Sequence, residues 1–93
     1  MTRIVVRKIV WDAFNAEHIK KHRVNQEEVA IVVGSPIYHN RAHSGRYLLV
    51  GRTAKRIIAV VIRREKTGVY YIVTARDADK KERRRVYEKE KSK

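Results

Sequence analysis

The chain has no cysteine, one proline, one tryptophan, one phenylalanine and four glycines in 93 residues. Without cysteine there is neither a disulfide framework nor a thiolate metal site, which fits a reducing cytoplasm. No apolar run approaches the ~20 residues of a membrane span. The opening Met-Thr-Arg-Ile-Val-Val-Arg-Lys reads as a charged strand and not as a signal peptide. The expectation is a soluble cytoplasmic protein. Its length fits one domain, residues 1–93, which buries only roughly 60 to 65% of its unfolded surface and leaves little room for a large internal cavity. Acidic residues are scarce too, with 10 Asp and Glu against 23 Lys and Arg and a formal charge of +13. Solvated surfaces usually balance their signs, so this excess favours a polyanionic partner, either nucleic acid or an acidic protein.

What is present is organised around Lys55 to Arg76. Ile57 to Ile62 is a β-branched apolar run bounded by arginines, too short for a buried helix, and reads as a strand covered on both faces. Gly68 supplies the positive φ of a short hairpin with a bulge, so Val69 to Ala75 returns antiparallel beside it. Upstream, Arg3 to Val10 alternates weakly as a first strand. Asp12 is an N-cap for a helix over Ala13 to His22, with Trp11, Phe14, Asn15, His18, Ile19 and His22 along one side. Asn25 with Glu28 at N3 opens a second helix to about Val33, with Val29, Val32 and Val33 as its buried stripe. Ile37 to His39 and Arg46 to Gly51 read as further strands. Asp79 and Glu82 cap a last helix, residues 79–91 with a tail to Lys93, in which eight basic and three acidic residues follow from Lys80 onward. Val86 and Tyr87 are its apolar anchors. The pattern implies an α+β fold: a small antiparallel β-sheet with two N-terminal helices and a C-terminal helix.

His18 and His22 stand at the i, i+4 spacing that lets two imidazoles share a zinc ion, and His39 and His43 repeat it. No glutamate follows His18 and no third ligand is evident, so capping, packing or acid–base work are the competing readings. Arg83 and Tyr87 lie one helical turn apart, Arg76 ends the last strand, and Arg46 and Arg52 flank a neighbouring one. Metal-free RNA cleavage needs a base, a group that stabilises the charged phosphorane and an acid, and His, Arg and Tyr can fill these roles. The alternative is that Arg83, Arg84 and Arg85 only solvate a helix and that Tyr87 anchors it. Lys20, Lys21 and Arg23 form a basic rim, and with Arg46, Lys80, Lys81, Arg84 and Arg85 they are the candidate phosphate contacts.

Trp11-Asp12, Asn15-x-x-His18-Ile19-x-x-His22-x-Val24, Glu27-Glu28-Val29, Ser44-Gly45-Arg46-Tyr47, Gly51-Arg52-Thr53, Val73-Thr-Ala-Arg76-Asp77 and Glu82-Arg83-Arg-Arg occur in an order that resembles the BrnT toxins of prokaryotic toxin–antitoxin pairs. The resemblance implies a RelE-like fold, a ribonuclease acting on messenger RNA, and an antitoxin partner of the BrnA type that binds DNA. Its candidate catalytic positions are His18, His22, Arg52, Arg76, Arg83 and Tyr87, with no cofactor and no metal. Arg23 stands where that family usually has a glycine, and Ser35 precedes Pro36 where an aspartate is common. The reading from a different class is a non-catalytic module that binds RNA or an acidic protein on the same scaffold. A DNA-binding protein is disfavoured because no helix-turn-helix pattern is evident.

Overall fold

The computed structural model describes residues 4–91. The order of elements is β1 (Lys8–Val10), α1 (Ala13–Lys21), α2 (Gln26–Gly34), β2 (Tyr38–Arg41), a 3-10 turn (His43–Gly45), β3 (Arg46–Arg52), β4 (Ile57–Lys66), β5 (Val69–Asp77) and α3 (Lys80–Lys91). They form one five-stranded sheet in the order β1-β5-β4-β3-β2. Strands β2 to β5 run antiparallel in sequence, so the sheet is mainly antiparallel as expected, while β1 joins β5 in parallel and makes it mixed.

The apolar run at the start of β4 sits in the middle of this sheet, and both of its faces are covered. Ile58, Val60 and Ile62 join Leu49, Ile72 and Ala75 beneath Ile19 of α1 and Val29, Val32 and Val33 of α2. Ile57 and Ala59 face the other way, packing with Tyr38, Val50, Ala78 and Val86 of α3. Such an alternation would leave one face polar in an exposed sheet; here each face has its own helix layer. Gly51 lets β3 come close to α2, since a Cβ there would lie 3.2 Å from Val32 Cγ1.

Two capping boxes start the N-terminal helices, Asp12 with Asn15 and Asn25 with Glu28. A third reciprocal pair opens α3, where Asp79 N donates to Glu82 and Glu82 N to Asp79, both at 2.8 Å. The expected stripe on α1 divides. Asn15 and Ile19 are buried, but Phe14 is 75% exposed and stacks with His18 on an outer side of the helix. On α3 Val86 is buried while Tyr87 is 51% exposed, so only the first anchors the helix.

The first strand is shorter than its sequence pattern suggests: pairing begins at Lys8, and the Arg3 end of the expected strand lies outside the described residues, as does the Lys93 end of the expected helical tail. The β4–β5 hairpin turns at Gly68 with φ +78 and has a register shift between Arg64 and Lys66, the bulge that was expected. The Gly68 carbonyl then accepts from both Arg7 N and Lys8 N, which seats β1 at the start of β5.

β1 ends at Val10, and Asn15 closes the gap it leaves. Its Nδ2 donates to the carbonyls of Val10 at 2.9 Å and Ile72 at 3.1 Å, and its Oδ1 accepts from Asp12 N at 2.8 Å. Replacing Asn15 with Ala strands these groups at a fully buried position, with an expected loss of about 2–4 kcal/mol. Urea unfolding of Asn15→Ala checks this, and a loss under about 0.5 kcal/mol would show that the amide bridges nothing of consequence.

Candidate nucleic-acid interface

Four elements meet at one end of the sheet, and Arg56 ties them together. Its Nε and Nη2 donate to the Glu28 carboxylate on α2 at 3.1 and 2.9 Å, and its Nη1 donates to Asp77 at the end of β5 at 3.1 Å. Nη2 also donates to the carbonyl of Arg23 between α1 and α2. The Glu28 carboxyl is held below its ordinary value, first by the hydrogen bond from Arg56. The Arg56 guanidinium is correspondingly held charged by Glu28. Thr53 closes the β3–β4 turn around Arg56, with Thr53 N donating to Arg56 O at 2.8 Å and Arg56 N to Thr53 Oγ1 at 3.2 Å.

Beside this hub lies an open cleft of about 340 Å³ lined by Arg52, Lys55, Arg56, Ile57, Asp77, Ala78, Arg83 and Tyr87. It brings together three of the six catalytic candidates. Arg52 forms a two-pronged pair with Glu90 at 3.0 and 2.9 Å and sits 6.0 Å from the Tyr87 ring centre. Arg83 Nη1 donates to the Ala78 carbonyl at 2.6 Å. A second cleft of about 550 Å³ shares Lys55 and Arg56 and is walled by Arg23, Asn25 and Ile31.

Arg76 is placed differently. Both of its terminal nitrogens bind Glu82, at 2.8 and 3.1 Å, and this hydrogen bonding raises its pKa. It clamps the first turn of α3 onto β5. His18 and His22 do not line the cleft of Arg52, Arg83 and Tyr87. They belong to a ladder on α1, in which His18 stacks on Phe14 at 6.3 Å, meets His22 edge-on at 5.3 Å and shares a 3.1 Å hydrogen bond with Thr74. The link from His22 to the cleft is the next residue, whose carbonyl Arg56 holds. Among the described residues, no three His, Cys, Asp or Glu side chains assemble as a metal-binding group. No helix of the described residues is long and apolar enough to cross a membrane.

The candidate phosphate contacts divide into groups. Lys20, Lys21 and Arg23 are exposed at the end of α1, with Lys20 paired to Glu17 at 3.3 Å. Lys80, Lys81, Arg84 and Arg85 are exposed on α3, and Arg85 lies 4.5 Å over the Tyr38 ring on β2. Arg46 is half-buried at the opposite end of the sheet, directly across from Arg63. Arg63 and its stacking partner Tyr71, at 4.8 Å, escaped the sequence reading. The arginines ending the β4 apolar run were visible; their cross-strand neighbours were not, because those depend on register.

No protein-family model matches the chain, and no curated protein matches it in sequence. Among solved structures it is similar to the ribonuclease toxin BrnT of Brucella abortus, determined by crystallography at 1.1 Å resolution. The TM-score is 0.65 at 21% identity, and the match covers 78% of this chain and 97% of that one. The chain has the BrnT fold. Ordered motifs and backbone geometry are separate observations, and at the level of fold they agree.

Within the BrnT fold, the end of α1 explains the glycine that the family resemblance places at position 23. Arg23 has φ +59 and lies between His22, the C-cap, and Val24. Arg23 N donates to Lys20 O and Val24 N to Ile19 O, the bond pair of a Schellman motif, and the Val24 and Ile19 side chains are buried together. The left-handed position costs an L-residue about 1–2 kcal/mol, part of which glycine returns through its own lost freedom. Arg23→Gly keeps the carbonyl that Arg56 holds, so the expected outcome is a gain of about 0.5–1 kcal/mol in denaturant unfolding; a loss would show that the Arg23 side chain itself is needed.

A second expectation concerns acid. Glu28 is lowered in the folded state, so its pair with Arg56 stabilises fully above the ordinary value of 4.5 and is lost as pH falls through the folded value below it. Stability measured from pH 6 to pH 3 should therefore decline more steeply in the wild type than in Glu28→Gln. Equal slopes would remove Glu28 from the acid response.

Proposed function

We propose that this protein is a ribonuclease toxin of a toxin–antitoxin pair, a metal-independent endoribonuclease that cuts messenger RNA and is restrained by an antitoxin of the BrnA type. The observation that carries the reading is the match over 97% of the Brucella abortus ribonuclease toxin. The charge of +13 supports it, because a polyanion is the ligand such a surface attracts.

In this reading the cleft of Arg52, Arg83 and Tyr87 receives the scissile phosphate. Arg83 is the preferred charge-stabilising group. Its hydrogen bond is to a neutral carbonyl, which leaves the charge available, whereas the Arg76 fork is filled by Glu82. Arg76 then acts chiefly by setting the position of α3. Tyr87, half-exposed beside Arg52, offers a ring for base stacking or a phenol for proton relay. His22 is proposed as the general base or acid, with His18 beside it; neither lines the cleft, so this role places the scissile phosphate at the α1 rim of the cleft, beside the Arg23 carbonyl that Arg56 holds. Guanidinium and imidazole supply charge stabilisation and proton transfer without a carboxylate set suited to Mg²⁺.

The test is cleavage of labelled RNA by the purified protein, with and without chelator. His22→Ala and Arg83→Ala should stay folded and cut roughly 10²- to 10⁴-fold more slowly, with growth inhibition lost, while Lys91→Ala should cut as the wild type does. Wild-type rates in both variants would remove the site assignment, and loss of cleavage in chelator would remove the metal-free mechanism. If the wild type cuts no RNA, the non-catalytic binding module takes its place.

A further inference from the structure

Phe14 is the only phenylalanine in the chain, and it is 75% exposed in the first turns of α1. Large apolar side chains usually contribute by being buried, and at an exposed helix position phenylalanine is a poorer helix former than alanine. Its one ring contact is with His18, whose plane lies within 8° of its own at 6.3 Å between ring centres, while His22 meets His18 edge-on at 5.3 Å. The 3.1 Å hydrogen bond to Thr74 on β5 ties the His18 ring to the sheet. Phe14 is therefore the end member of a held ladder of rings. It lines an open cleft of about 420 Å³ with Ala13, Glu17, His18 and Lys21. The Glu17 carboxylate is offset by Lys20 at 3.3 Å, which leaves Lys21 as the cation of the cleft wall. The other large apolar side chains exposed among the described residues are Val5, Ile31 and Tyr87, and none of them lines this cleft. One ring among charged neighbours is too small for the apolar core of a protein–protein interface, but it matches the face of one base.

We propose that Phe14 stacks one base of a single-stranded RNA, with Lys21 on a neighbouring phosphate, so that the strand is held along α1 beside His18 and His22. This rests on the ribonuclease reading and adds a base subsite to it. A base on the Phe14 ring continues the ladder, following Phe14 as Phe14 follows His18. Every base has a π-face, so the subsite tolerates sequence and acts on position. Position is what the two histidines need. They lie off the cleft of Arg52, Arg83 and Tyr87, and a base pinned at Phe14 carries its strand past both of them.

The experiment measures binding of a 2′-O-methyl oligoribonucleotide, which lacks the free 2′-hydroxyl needed for cleavage, across a range of salt. Phe14→Ala should weaken binding roughly 5- to 150-fold, the span for one stacked base, and should leave the log-log salt slope unchanged because no charge is lost. Phe14→Leu keeps an apolar side chain without a π-face and should lose nearly as much, whereas Phe14→Tyr should bind as the wild type does. Lys21→Gln should lower the magnitude of the slope by about 0.7, the contribution of one phosphate on a single strand. Positions 14 and 21 are exposed, so circular dichroism should show all four variants folded. Wild-type affinity in Phe14→Ala, or Phe14→Leu binding as tightly as the wild type, would overturn the stack, and an unchanged slope in Lys21→Gln would remove Lys21 from it. Phe14→Ala protein that keeps its RNA affinity but escapes the antitoxin would make the ring a protein anchor instead. A wild type that shows the expected pattern yet cuts no RNA would sink the ribonuclease reading alone, and one that binds no RNA would sink both.

Discussion

The side-chain amide of Asn15 supplies the hydrogen bonds that β1 cannot make after Val10. A strand of three residues leaves its neighbour unpaired early, and a buried carbonyl such as that of Ile72 needs a donor from somewhere else. Asn15 gives that donor from the first turn of α1, and its oxygen simultaneously closes the capping box with Asp12. The end of the strand, the start of the helix and the height of α1 over β5 are therefore one decision. The same helix carries His18 to Thr74 and ends at the left-handed turn of Arg23, whose carbonyl Arg56 grips. An apolar residue at position 15 would pack as well but would satisfy none of these groups.

The few carboxylates are concentrated where they hold elements together. Glu28 and Asp77 engage Arg56, Glu82 engages Arg76 and Glu90 engages Arg52. Arginines serve as cross-links at these points because a planar guanidinium reaches several acceptors at once. The lysines and arginines of the α3 outer side and the α1 end are exposed, and it is they that give the molecule its external field. The cross-linking arginines and the exposed cations of α1 and α3 are thus different residues, though the sequence presents them as one basic excess.

Local signals were legible. The three capping pairs, the β-branched run of β4 and the Gly68 turn each depend on residues near one another in sequence, and each formed where its chemistry indicated. Non-local pairing was not. Nothing in Lys8–Val10 says that its partner is Val69–Tyr71 or that the two run parallel, because the weak alternation of a short edge strand fits either direction. The candidate site shows the same divide. Arg83 and Tyr87 were found through helical spacing, and they do share a cleft with Arg52. The same spacing grouped Phe14, His18 and His22 with buried Asn15 and Ile19, because it fixes neighbours along a helix without saying which flank meets the sheet. Arg63 and Tyr71 become neighbours of Arg46 only through register.

The parallel seat of β1 against the start of β5 has a consequence during synthesis. Val10 is made early, yet its strand partner Tyr71 comes some sixty residues later. At about 5–20 residues per second, the ribosome takes several seconds to reach it. Throughout that interval the N-terminal segment has no ladder to join, while β2 through β4 pair in order as a meander with short loops. The pairing that closes this edge of the sheet thus waits for the last strand to be made, and until then β1 is an unpaired segment.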